Sequence, residues 1–418
     1  MSNKAGKQKK KHNRSLFYRI MAWLHLWLGL VTGLIMIIVC LTACIWIFNE
    51  EITGLMMPQT KIEKQDRPVL PPSAMRDIAD SLYPGKKMSY ASYRQGRAAH
   101  IGVGEGRRSN ITIRVNPYTG QVVHVEERKE GSPDFFRFIL NGHRFLWMPP
   151  KVGRVIVNYS TLIFVVILIS GIVMWWPRKW NPSTRKQAFT IKKGSTPKRF
   201  NYDLHNVLGF YSLIVLACIA LTGMVYGIEW YSKSLYWATS GGTKFPKNKP
   251  AKSDSLQVGK YFTPEQAMDS AWTAVVSKNT GAEGFYYSYA DTSKPSSSIS
   301  ITIYPSAGNY YENRVFAFDQ HTLKPLRGNK IYAEKFEKAS VGNKIRRMNY
   351  DIHVGSILGL PGRILAFCAA LIGASLPITG LIIWLGKKKK GKKKGKTEKK
   401  NSTAKPIKAE PLREGAEL

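Results

Sequence analysis

Four uninterrupted apolar runs organise the chain: Ile20–Phe48, Val155–Trp176, Val207–Ile228 and Ile364–Leu385. None contains Asp, Glu, Lys or Arg. At about 1.5 Å per residue, a run of roughly 20 residues crosses a hydrocarbon core of about 30 Å. The pattern therefore predicts four transmembrane helices. The first run is too long for a cleaved signal and no small-residue cleavage site closes it, so it is expected to stay in the membrane. Between the runs the period changes. Residues 49–142 open with a helix-like stretch, Ser73–Leu82. Strand-like alternation follows over Asn110–Val115 and Gln121–Val125, joined by the turn Asn116-Pro117-Tyr118-Thr119-Gly120. Residues 231–350 repeat this order, with Pro264–Val276 as helix, Ser298–Tyr304 and Arg314–Phe318 as strands, and Asp319-Gln320-His321-Thr322 at the turn.

The expected fold class is a mainly α membrane protein of two tandem repeats, each carrying a small α+β extracytoplasmic domain between its two spans. Span one reads Leu24-His25-Leu26-Trp27-Leu28-Gly29, then Leu41-Thr42-Ala43. Span three reads Leu204-His205-Asn206-Val207-Leu208-Gly209, then Leu221-Thr222-Gly223, and the His-to-Thr offset is 17 residues in both. His143 precedes Gly153-Arg154 by ten and Ser170-Gly171 by 27; His353 precedes Gly362-Arg363 by nine and Thr379-Gly380 by 26. The resulting division is a basic tail (1–19), span one (20–48), domain one (49–142), an outer-interface segment with span two (143–176), and a basic loop (177–202). Span three (203–230), domain two (231–350), an outer-interface segment with span four (351–385) and a Lys-rich tail (386–418) complete it. A pseudo-two-fold along the membrane normal is expected from two copies pointing the same way.

A net charge of +36 invites a nucleic-acid reading, but its placement argues for a membrane. Basic residues crowd the N-terminal tail (Lys4 to Arg19), the loop between spans two and three (Arg178 to Arg199), and the segment after span four (Lys387 to Lys394). With alternating spans, all three fall on one side. The positive-inside pattern puts both termini in the cytoplasm, with the two domains outside and no nucleic-acid partner. The Lys-rich tail suits attraction to anionic lipid. Cys40, Cys44, Cys218 and Cys368 all lie inside spans, which leaves no extracytoplasmic disulfide and no Cys-x-x-Cys motif.

Four of the eight histidines occupy repeat positions: His25, His143, His205 and His353. Ionisable groups in or beside a span are costly and point to function. Zinc or copper would need three or four ligands gathered together, and no carboxylate or cysteine accompanies these histidines at ligand spacing. One histidine from each of two helices, on opposite sides of a flat cofactor, suits six-coordinate haem iron. His25 and His205 each lie about 9 Å inside the boundary set by Arg19 and Arg199, six residues at 1.5 Å each; they are expected to form one pair. His143 and His353, set off from their spans by Pro149, Pro150 and Pro361, are expected to form an outer pair on short interfacial helices or turns. Gly29 and Gly209, at i+4 from their histidines, would let a porphyrin lie close to the backbone; Gly29 with Gly33 equally fits small-residue helix packing. Arg154 and Arg363 suit haem propionates or lipid phosphates. Trp27, Trp175, Trp176 and Trp384 read as interfacial belt residues. His12 is expected in the basic tail, and His100, His124 and His321 in exposed loops or strands.

These residues resemble the PepSY-associated transmembrane proteins, iron-regulated inner-membrane proteins that include siderophore-iron reductases. The resemblance covers about residues 15–385. It rests on Leu24-His25-x-Trp27-Leu28-Gly29, Asn141-Gly142-His143-Arg144, Tyr202-Asp203-Leu204-His205, Asp351-Ile352-His353, Gly171…Trp175-Trp176-Pro177-Arg178 and Gly359-Leu360-Pro361-Gly362-Arg363. The turns Asn116–Gly120 and Asp319–Thr322 are similar to the aspartate-proline-x-threonine-glycine turn of PepSY domains, although the second lacks proline and glycine. The resemblance implies two b-type haems and an oxidoreductase passing electrons outward to a ferric siderophore. No dinucleotide or phosphate loop is expected, Gly102-Val103-Gly104-Glu105-Gly106 reading as a plain loop, so the donor must be external, a quinol or a cytoplasmic reductase. The sequence assigns no catalytic residue. A membrane-anchored PepSY binding or regulatory module, a protease inhibitor or chaperone, is the alternative.

Overall fold

The structure, a computed structural model, describes residues 14–104, 110–128, 134–247, 250–291 and 293–402, with side chains through 387. The N-terminal lysines with His12, Glu105 and Gly106 of the glycine-rich stretch, and the side chains of the C-terminal lysine run from Lys388 lie outside the described residues.

The helices run in chain order as α1 (Leu16–Ile47), α2 (Asn49–Met56), α3 (Pro72–Leu82), α4 (Phe135–Phe145), α5 (Pro150–Trp175), α6 (Pro182–Phe189), α7 (Pro197–Asp203), α8 (Gly209–Met224), α9 (Glu229–Thr239), α10 (Pro264–Val276), α11 (Val341–Val354) and α12 (Gly359–Ser402). A π-helical turn, Leu204–Leu208, joins α7 to α8 without a break. Four helical segments are long and apolar enough to cross a membrane: Leu16–Ile47, Pro150–Trp175, Pro197–Met224 and Ser356–Lys387. The third starts before the apolar run because the polar α7 continues into it through the π turn. α1 packs on α5 and α12, and α8 packs on the same two, so α1 and α8 stand diagonally across a four-helix bundle. Met36, Cys40, Phe164, Leu168, Leu216, Ala220, Ala369 and Ala374 fill its middle. Cys40 and Cys44 are buried, Cys218 and Cys368 face outward, and all four are free thiols.

The strands are β1 (Met88–Arg94), β2 (Ala99–Val103), β3 (Ile111–Val115), β4 (Val122–Glu127), β5 (Gly284–Ser288), β6 (Ser298–Tyr304) and β7 (Arg314–Asp319). They form one antiparallel seven-stranded sheet in the order β4-β3-β2-β1-β5-β6-β7. The two soluble segments are thus not separate domains, since β1 pairs with β5 from Tyr90↔Ser288 to Arg94↔Gly284. Gly102 and Val103 belong to β2 rather than to a loop. On one face, Ala91, Tyr93, Ile101, Val103, Ile113, Phe285, Tyr287, Ile301 and Ile303 pack under α3 and α10. Those helices are tied to each other by Ser73 Oγ donating to Asp269 at 2.5 Å and by Arg76 on Glu265 at 2.7 Å.

The other face carries the polar alternates and turns toward the bundle end. There Arg94 meets Glu50, just past α1, at 2.5 Å. The Tyr310 amide donates to Asp351 of α11 at 3.0 Å. His100 is on this face and half-buried, not exposed as expected. Burial, with Arg114, Arg94 and Arg97 around it, pushes its pKa down to about 4.

Candidate functional site

The four repeat-position histidines come together as two pairs. His25 on α1 and His205 in the π turn before α8 face each other across the bundle diagonal, ring centroids 6.2 Å apart and ring planes at 90°. His143 on α4 and His353 on α11 form the second pair, 6.3 Å apart at 60°. Each imidazole is held through Nδ1 by a helix other than its own. His25 Nδ1 lies 3.0 Å from the Ile167 carbonyl and 3.1 Å from Ser170 Oγ. His205 Nδ1 lies 3.1 Å from the Leu376 carbonyl and 2.9 Å from Thr379 Oγ1. In the second pair, His143 reaches the Val39 carbonyl at 2.9 Å and Thr42 Oγ1 at 3.4 Å. His353 reaches the Ile219 carbonyl at 3.0 Å and Thr222 Oγ1 at 3.2 Å. A carbonyl can only accept, so in every neutral ring Nδ1 carries the proton and Nε2 keeps its lone pair.

The second pair sits on helices that turn back onto the spans. The α4–α5 turn passes through Leu146 and Trp147 at φ 53° and 57°, the α11–α12 turn through Gly355 at φ 80°. Two glycines let these turns approach. A Cβ on Gly153 would lie 2.0 Å from the Phe145 carbonyl oxygen, and one on Gly362 would lie 2.2 Å from that of Gly355. Trp147 caps the arrangement, its indole N–H donating to the Phe138 carbonyl at 2.9 Å. On α1 the contacts of His143, Val39 and Thr42, lie 14 and 17 residues beyond His25, and Ile219 and Thr222 lie as far beyond His205. The two pairs are therefore about 21–26 Å apart along the bundle at 1.5 Å per residue. The apolar middle of the bundle fills the interval.

This geometry fits a metal held by opposed imidazoles. A ring centroid lies about 1.1 Å from Nε2 and a nitrogen–metal bond is about 2.0–2.1 Å, which puts two axial imidazoles about 6.2–6.4 Å apart. Both pairs match. Among the described residues no group of three or more His, Cys, Asp or Glu is gathered at one point, so each place offers two protein ligands. Two opposed imidazoles are the ligand number that a metal already held by a flat macrocycle would need from a protein.

The family model for the PepSY-associated TM region matches residues 22–387, from within the first span to the end of the fourth. The chain belongs to the PepSY-associated transmembrane family. No curated protein is matched by it.

Within this PepSY-associated protein the remaining predicted site residues divide. A Cβ on Gly29 would meet no atom within 4 Å; one on Gly209 would meet only Leu376, at 3.6 Å. A Cβ on Gly33, by contrast, would lie 3.1 Å from the Pro377 side chain. Arg363 departs from expectation. Its guanidinium is bound by Glu51 at 2.5 and 2.6 Å, donates to the Ile47 carbonyl, and lies 5.0 Å over Phe48, so it clamps α12 to the end of α1 instead of standing free for a propionate. Arg154 is exposed, 5.6 Å over Phe145. Trp27 and Trp176 are exposed on the bundle surface, whereas Trp175 stacks on Phe210 at 3.9 Å. Sequence reasoning gave Thr42, Ser170, Thr222 and Thr379 no role beyond marking the repeat. The available signal was their recurrence at matched offsets, 17 residues beyond His25 and His205 for Thr42 and Thr222, and 27 and 26 beyond His143 and His353 for Ser170 and Thr379.

Proposed function

We propose that this protein is a di-haem transmembrane electron conduit, with one b-type haem between His25 and His205 and a second between His143 and His353. The observation that carries the reading is the matched pair of imidazole pairs, each ring held by Nδ1 and spaced for one intervening metal. Bound haem would supply reversible one-electron chemistry at iron. The chain's contribution is to present neutral imidazoles, to fix their tautomer, and to keep water out of the apolar interval between the two places. Gly29 leaves room beside the first place, and Arg154, exposed over Phe145, is a cation near the second.

The basic loops orient the conduit, with both termini cytoplasmic, the sheet outside the inner membrane, and the His25 pair nearest the cytoplasm. A quinol or a cytoplasmic reductase would supply electrons, and a ferric siderophore or similar ferric chelate would receive them on the sheet side. Reduction loosens such chelates because hard oxygen donors hold ferric iron better than ferrous. On this reading the protein is a ferric-chelate reductase, and its two halves descend from one duplicated unit.

The test is optical. Protein purified from haem-replete cells should show a Soret band and a reduced α band on dithionite. His25→Ala and His205→Ala should each remove the same half of the haem, His143→Ala and His353→Ala the other half. A preparation without haem would overturn the reading and leave a membrane-anchored PepSY binding module. Loss of different haems from the two members of one pair would overturn the pairing.

A further inference from the structure

All four imidazoles share one feature that the haem reading does not require. Beside the carbonyl that takes the Nδ1 proton stands a hydroxyl three residues further along the same helix: Ile167 with Ser170, Leu376 with Thr379, Val39 with Thr42, Ile219 with Thr222. Each hydroxyl in turn donates to a carbonyl of its own helix: Ser170 to Ile167 at 2.9 Å, Thr379 to Leu376 at 3.0 Å, Thr42 to Ile38 at 2.6 Å and Thr222 to Cys218 at 2.6 Å. Its proton is therefore spent, and toward the imidazole the oxygen can only accept. In three cases the next residue is a glycine against the ring: a Cβ on Gly171, Gly380 or Gly223 would lie 3.2, 3.3 or 3.1 Å from the Cε1 of His25, His205 or His353. Thr42 is followed by Ala43, and its contact to His143 is the longest of the four, at 3.4 Å.

We infer that Ser170, Thr379, Thr42 and Thr222 are positioning residues that set the donor strength of the four axial imidazoles. The inference rests on the haem reading and deepens it. A second acceptor on Nδ1–H draws the proton away from the ring, makes Nε2 a stronger donor, and so favours the ferric state of a bound iron. The hydroxyl contacts are shorter at the His25/His205 pair, 3.1 and 2.9 Å, than at the His143/His353 pair, 3.4 and 3.2 Å. By this effect alone the first place has the lower potential, and electrons run downhill from the basic-loop end to the sheet end.

The experiment is a spectroelectrochemical titration of the full-length protein and of Thr379→Val, Thr379→Ser, Thr222→Val and Thr222→Ser. Valine keeps the shape and removes the acceptor; serine restores it. Thr379→Val is expected to raise only the lower-potential wave and Thr222→Val only the higher, with each serine variant returning to the wild-type value. Loss of haem from a valine variant that the serine variant regains also supports the role. Unmoved waves at full haem content, equal loss in the valine and serine variants, or movement of both waves by either substitution would overturn it. A wild-type protein without haem would sink the broader reading instead, so the two failures are told apart.

Discussion

His100 sits on the polar face of β2 among three guanidiniums, those of Arg94, Arg97 and Arg114. Burial disfavours its charged form, and protonation would also add a cation beside the three guanidiniums, which is why its pKa falls from 6.5 to about 4. The sign of the linkage follows. Between about pH 6.5 and 4 the unfolded chain binds a proton that the folded chain refuses, so stability is whole above that window and is lost as pH falls through it. His100→Asn should therefore flatten the acid side of the stability profile. Thermal unfolding of detergent-solubilised protein at pH 7.5 and pH 4.5 should show a smaller fall for the variant than for wild type; equal falls would refute the account. Nothing in the local sequence announced this. Gly102 and Val103 read as a loop, and which face of β2 met solvent depended on Glu50 and Arg114, 50 and 14 residues away.

The short helices that carry the second histidine pair approach their spans through close backbone contact at two glycines, besides the side-chain bonds that hold α11. At Gly153 and Gly362 the facing carbonyl oxygens stand where a Cβ would be, 2.0 and 2.2 Å from it. Gly153→Ala and Gly362→Ala should push α4 and α11 off their spans. Overpacking of this kind costs about 1–3 kcal/mol. The expected readout is a lowered unfolding temperature together with, on the proposed di-haem reading, loss of haem from the His143/His353 place alone; wild-type stability with full haem content would refute the docking role. The spans were legible because length and the absence of charge are decisive in lipid. The helices Pro72–Leu82 and Pro264–Val276 and the strands β3, β4, β6 and β7 were legible from their period. The turn after β3 was read from Asn116 and Gly120, whose φ of 77° needs no side chain. At the second turn Asp319 still accepts from the amides of His321 and Thr322, at 2.8 and 3.0 Å, but the left-handed residue is Leu323, which no turn rule picks out. The ion pair of Arg363 was not legible for a related reason. Its partner, Glu51, is 312 residues away, and only the α1–α12 packing brings them together.

At the scale of the molecule, the junction of β1 with β5 converts two small sheets into one. A sheet of three or four short strands with a single helix buries little core, and each would leave β1 or β5 as an open edge available for wrong pairing. Joined, the strands share a continuous core beneath α3 and α10, and Tyr90 stacks on Tyr286 across the seam at 5.2 Å. The polar face is pinned to the bundle by Arg94 on Glu50 near α1 and by Tyr310 on Asp351 of α11, two residues before His353. The sheet thus ties together the ends of helices from both halves, and the spacing of the His143/His353 pair depends on it. The junction can be tested in the intact chain by its register. Ser92 stands opposite Tyr286, while Ser288 stands opposite Tyr90. Directly opposed residues lie about 4.5–5.5 Å apart at Cα, inside the range a disulfide spans, and diagonal ones about 7–8 Å. Ser92→Cys with Tyr286→Cys should crosslink under mild oxidation and hold the two halves together after proteolysis of the loop between α5 and α7. Ser92→Cys with Ser288→Cys should crosslink far less. Equal crosslinking of the two pairs, or none in either, would mean that the halves are not one sheet, and the second histidine pair would then lose the scaffold that sets its 6.3 Å separation.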